Sequence, residues 1–65
     1  MNGILGEVGK VLIELQENGA AVIEKTEELY VDEILYYVEE TLKGVKAEYK
    51  VEVLQPDQSS KITLQ

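Results

Sequence analysis

Carboxylates are the one plentiful reactive group in this sequence, and three adjacent pairs stand out: Glu27-Glu28, Asp32-Glu33 and Glu39-Glu40. Closely set acids can hold a hard cation through oxygen ligands, but the spaced Asp/Asn-Gly loop that wraps Ca²⁺ is missing. Acidic pairs on a helix are ordinarily its wet face, so no metal is expected. Paired carboxylates for glycoside hydrolysis need a cleft that so short a chain can hardly form. Nucleophilic catalysis of the triad type needs a base beside Ser or Cys. The chain has no His and no Cys, and Ser59-Ser60 falls in an expected turn. The six lysines lie at helix ends, wet strand faces or turns, where no desolvation activates them as acid–base groups. Gly3, Gly6 and Gly9 have neither the preceding strand nor the following Lys-Ser/Thr of a phosphate loop. No catalytic residue, cofactor or metal is expected, and the protein reads as a non-enzyme.

Tyrosine is the sharper feature. Tyr36 falls off the apolar stripe of its helix, beside Asp32, Glu33, Glu39 and Glu40. A tyrosine next to charge suits an interface, because it carries large area, little rotamer freedom and a polar tip. Tyr36, Asp32, Glu33, Glu39 and Glu40 are therefore the candidate partner-binding residues. Tyr30, Tyr37 and Tyr49 are expected to pack as the rim of the core.

These residues depend on one helix, residues 29–42, reading LYVDEILYYVEETL. Val31, Ile34, Leu35, Val38 and Leu42 recur at steps of three and four, which makes one helical stripe. Thr26 or Asp32 is expected to cap its start, and Gly44 to stop it in a left-handed conformation. Asn2–Glu17 also follows helical spacing, with Asn2 as cap and Asn18-Gly19 as stop. Its three glycines fall on one face, which would let another backbone approach. The competing reading pairs residues 11–16 with 20–25 around Asn18-Gly19 as a hairpin. Its register sets Ile13 against Glu24 and Glu14 against Ile23, a poor match, and the helix is preferred.

Residues 19–25 read as a short strand or as the start of a long helix through to Leu42, and the β-branched pair Val22-Ile23 favours the strand. Val45–Val53 alternates, with Val45, Ala47, Tyr49, Val51 and Val53 on one face and Lys46, Glu48, Lys50 and Glu52 on the other, as a half-buried strand should. Pro56-Asp57 supplies a turn, and Lys61–Gln65 returns as a last strand, with Val53 near Ile62. That last strand is expected at a sheet edge, because it ends the chain. The fold class is α+β: one small two-layer domain over residues 1–65, in the order α-β-α-β-β (alternatively β-β-α-β-β). Helix 29–42 packs on a small antiparallel sheet.

Sixty-five residues with no Cys or His exclude disulfide and zinc staples, and Phe and Trp are absent too. A chain this short buries only about 60 % of its unfolded surface, so association is the expected compensation. The net charge of −7, with no arginine, argues against direct binding to nucleic acid or an anionic membrane. Residues 1–42 carry ten acids and two lysines, while residues 43–65 carry three acids and four lysines. No export signal or membrane span is visible, and the cytoplasm is the expected compartment. The expected function is a small acidic interaction module that forms a homodimer, binds another protein, with a basic one among the candidates, or does both. The alternative is an acidic inhibitor whose Glu24, Glu27, Glu28, Asp32, Glu33, Glu39 and Glu40 imitate nucleic-acid phosphates.

Overall fold

The computed structural model describes residues 3–65. The elements follow the expected order: α1 (Ile4–Asn18), β1 (Ala20–Glu24), α2 (Val31–Gly44), β2 (Tyr49–Gln55) and β3 (Ser59–Leu64). The expected cap at Asn2 lies outside the described residues.

In α1 the steps of three and four bury Val8, Val11 and Leu15. The helix reading of residues 4–18 thus prevails over the hairpin. Gly19 ends the helix at φ 76°, donating its N–H to the Leu15 carbonyl at 2.8 Å. That left-handed residue turns the chain directly into β1. Within the chain, nothing packs closely on α1 at Gly3 or Gly9. A Cβ built at Gly3 or Gly9 would meet nothing within 4 Å, so no neighbouring backbone requires glycine there.

Helix α2 begins two residues later than its apolar pattern. Neither Thr26 nor Asp32 caps it. The Glu33 carboxylate accepts from the Tyr30 N–H at 3.0 Å, and the Tyr30 carbonyl accepts from the Glu33 and Ile34 N–H groups. Thr26 Oγ1 instead accepts from Glu28 and Leu29 N–H, which folds the connection ahead of the helix. The C-terminal stop also differs from the expectation at Gly44, because Lys46 holds the left-handed conformation at φ 59°. Its N–H reaches the Lys43 carbonyl, and the Ala47 N–H reaches the Leu42 carbonyl. This paired arrangement, with an apolar residue returning onto the last turn, is the Schellman motif. It occupies residues expected to open the second strand. Val45 is consequently 70 % exposed, and β2 starts only at Tyr49.

A non-glycine residue in that left-handed well costs about 1–2 kcal/mol. Lys46→Gly is therefore expected to raise stability by about 0.5–1 kcal/mol, once the extra freedom of glycine in the unfolded chain is subtracted. An upward shift in the urea midpoint at unchanged slope would record it.

The sheet order is β1-β3-β2, with both neighbours antiparallel to β3. The last strand is thus the central one, a correction to its expected edge position. Burial rather than chain order decides this. Ile62 is 0 % exposed and lies between Ala21 of β1 and Val51 of β2, where both helices cover it. Strands β1 and β2 run parallel to each other, joined through α2 and split by β3. Val53 faces Ser60, two residues along from the expected Ile62. A shift of two preserves the face, because side chains alternate with period two. The β2–β3 connection closes with Gln58 N–H on the Gln55 carbonyl, with Pro56 and the positive-φ Asp57 at the middle positions. An extra residue at Leu54 makes a bulge between Val53 and Gln55.

One core joins the layers: Val8, Val11 and Leu15 of α1; Val31, Ile34, Val38 and Leu42 of α2; and Ala21, Ile23 and Ile62 of the sheet. Among the described residues no buried side-chain polar atom lacks a partner, and no helix is long and apolar enough to cross a membrane.

Candidate interaction surfaces

The outward face of α2 carries the five candidate partner residues, and the fold divides them. Asp32, Tyr36 and Glu40 follow one another at steps of four and are exposed. The Tyr36 ring meets Tyr37 edge-on, with centroids 5.1 Å apart and planes at 84°. This is a favoured aromatic geometry. Glu40 approaches Lys43 only to 3.8 Å, with both side chains well exposed, so the pair holds little energy. Glu33 and Glu39 have internal roles instead. Glu33 closes the start of α2. Glu39 is half-buried and accepts from the Tyr49 hydroxyl at 3.1 Å, tying α2 to β2.

Tyr30 and Tyr37 are exposed rather than packed as core rim. Tyr30 precedes the first helical turn, and the Tyr37 ring is drawn aside onto Tyr36. Tyr49 alone behaves as rim, half-buried against the core.

The Tyr49 hydroxyl pKa is raised above the ordinary 10.0, first by desolvation, then by donation to Glu39 and by that carboxylate's charge; Lys43 opposes and Glu40 adds slightly. The neutral phenol is thus the form favoured on folding. Its contribution is complete below pH 10.0 and is lost as pH rises through the folded value. Tyr49→Phe removes that alkaline dependence. Denaturant titrations at about pH 9 and about pH 11 should show a smaller drop for Tyr49→Phe than for the parent chain. Glu39→Gln keeps an acceptor and removes the charge, so the phenol should titrate earlier than in the parent, as read by phenolate absorbance.

The acidic pairs do not converge. Among the described residues no group of three or more His, Cys, Asp or Glu could hold a metal ion. One hollow, about 270 Å³, lies between Glu7, Lys10 and Glu14 of α1 and Glu24-Lys25 at the end of β1. A second, about 250 Å³, sits among Lys25, Tyr30, Asp32 and Asp57. Both fall below the usual range of enclosed ligand pockets, about 300–1,000 Å³.

The feature missed in the sequence is the rim of β2. Val53 lies on the core-facing side yet is 63 % exposed, and its neighbour Leu54 is 45 % exposed. Tyr49 and Val51 are half-buried. The helices cover β1 and β3 and leave the far part of this strand bare. The Val53-Leu54 doublet interrupts the alternation, and such an interruption is the sequence trace of a bulge.

These surfaces and this topology define a small two-layer α+β domain whose sheet, among the described residues, is open at both edges. The chain matches no protein-family model, no curated protein and no solved structure.

Proposed function

We propose that this protein is a non-enzymatic, acidic interaction module that self-associates as a homodimer, with the Tyr36 face of α2 available to a further protein partner. One observation carries the reading. Val53 and Leu54 are exposed beside the unpaired backbone edge of β2, where apolar surface and free hydrogen-bonding groups coincide. The absence of His and Cys leaves no conventional nucleophile–base pair beside it.

Sedimentation equilibrium over rising protein concentration tests the proposal. The expected result is a reversible monomer–dimer equilibrium that tightens with added salt, because two copies at −7 each repel and salt screens the repulsion. A monomer at every concentration would overturn it. The mimicry alternative draws on the same acidic row. With Glu33 and Glu39 each holding a hydrogen bond within the chain, fewer carboxylates are free to stand for phosphates, and we favour the interaction module.

A further inference from the structure

We propose that two copies join through β2, edge to edge and antiparallel, about a two-fold axis at Val51, so that two three-stranded sheets become one continuous sheet. This rests on the self-association reading and adds the surface, the register and the residues that recognise the second copy.

The backbone phase comes first. In β3 the Leu64 N–H donates to Gly19 on the β1 side, and the Gln65 N–H donates to the Glu48 carbonyl on the β2 side. Backbone groups of successive residues point to opposite sides of a strand. Glu48, Lys50 and Glu52 therefore point toward β3, and Tyr49, Val51 and Val53 present their N–H and C=O groups to the free edge. These three residues are the ones a pairing strand would engage. With Val51 opposite its own copy, Tyr49 falls opposite the second copy's Val53, and Val53 opposite its Tyr49. All three positions are then hydrogen-bonded pairs, with about six new backbone bonds across the axis.

The side chains agree with the same register. On the solvent face Lys50 falls opposite Glu52 of the second copy, and Glu52 opposite its Lys50. Both are non-hydrogen-bonded positions, where side chains come closest. Each Glu52 already lies across from Lys61 of its own chain, so the charges alternate as the row crosses the axis. On the core face an aromatic meets a β-branched residue at each end, and Val53, 63 % exposed in the single chain, acquires a neighbour. A shift by two residues along the edge would break both ion pairs and oppose like charges, Lys50 to Lys50 or Glu52 to Glu52. The pattern therefore favours one register.

The other free edge offers no such match. Strand β1 has five residues, and pairing with its own copy about Val22 leaves Glu24 opposite Ala20. That register also pairs Ala21 with Ile23 and Val22 with itself, so it forms no cross-strand ion pair. Pairing β1 of one copy with β2 of the next is a head-to-tail contact, which builds rings or filaments rather than a two-fold dimer.

The test compares the parent chain with Val51→Pro, Lys50→Glu and the exchange Lys50→Glu/Glu52→Lys by sedimentation equilibrium, with far-UV circular dichroism as the check on folding. Val51→Pro removes an N–H that points to the free edge and is unused within the chain, a position at which an edge strand tolerates proline. A monomer with a parent-like spectrum is expected. Lys50→Glu turns both symmetric ion pairs repulsive and should weaken the dimer about tenfold. The double exchange re-forms both pairs and should return the affinity to within about threefold of the parent. A folded Val51→Pro dimer of parent affinity overturns the β2 interface while leaving self-association standing. If Val51→Pro does not fold, equal affinities for Lys50→Glu and the parent overturn it, and recovery on exchange supports it. Species larger than a dimer overturn the closed two-fold, and a parent chain that never dimerises removes the underlying reading as well.

Discussion

Ile62→Ala should lower stability by about 3–4 kcal/mol, the range for emptying a fully buried isoleucine site that its surroundings cannot refill. Ile62 is 0 % exposed. It sits on the central strand between Ala21 and Val51, under the meeting of both helices. Fixed strands on either side cannot close over a missing side chain, so a cavity remains. A chain of 65 residues has roughly 3–10 kcal/mol of total stability, so this one change removes a large part of it. The expected fall in melting temperature is about 15–25 °C. Ile13→Ala is the comparison. Ile13 is 58 % exposed on α1, and its truncation should move stability by no more than about 0.5 kcal/mol. Thermal melts followed by circular dichroism would separate the two, and similar shifts would mean that the core is not centred on Ile62.

Gly19→Ala should destabilise by about 1–2 kcal/mol, although the site has room for the methyl group. Nothing lies within 4 Å of a Cβ built there, and φ is +76°. The penalty is therefore purely conformational: alanine in a left-handed turn crowds its own backbone. Relief by a different turn would shift β1 against β3, because the Gly19 carbonyl accepts from Leu64 N–H at 2.8 Å. Gly9→Ala should do the opposite. Gly9 has equally open surroundings but lies within α1 at negative φ, so alanine should add about 1 kcal/mol through helix propensity. Urea titrations of both variants test the signs together. A loss at Gly9 would reveal a close contact on that helix face, such as one made by a second copy.

Most of the element order was legible because local periodicity carries it. Val31, Ile34, Val38 and Leu42 mark a helix whatever it packs on, and Tyr49, Val51 and Val53 mark a strand face. The boundaries were less legible, because two short motifs outweighed the pattern. The Glu33 cap moved the start of α2 to Val31, and the Schellman closure at Lys46 removed Val45 and Ala47 from the strand. Lys46 was unreadable in this role, since glycine is the usual residue there and Gly44 stood two positions earlier. The candidate face on α2 was legible in part. Helical spacing alone puts Asp32, Tyr36 and Glu40 outward, but whether a carboxylate is free depends on what folds against it. Glu39 meets Tyr49 from a strand ten positions away, and no local pattern encodes such a contact.

By itself the sequence determined the α-β-α-β-β order, the apolar stripes of both helices, the Gly19 turn and the strong acidity, because each depends on neighbours within a few positions or on composition. The tertiary structure alone decided that β3 lies in the middle, that β1 and β2 are the open edges, and that Val53 and Leu54 remain bare. Strand order depends on which distant faces exclude water most completely when they meet, and that balance is struck over the whole core rather than along any one segment.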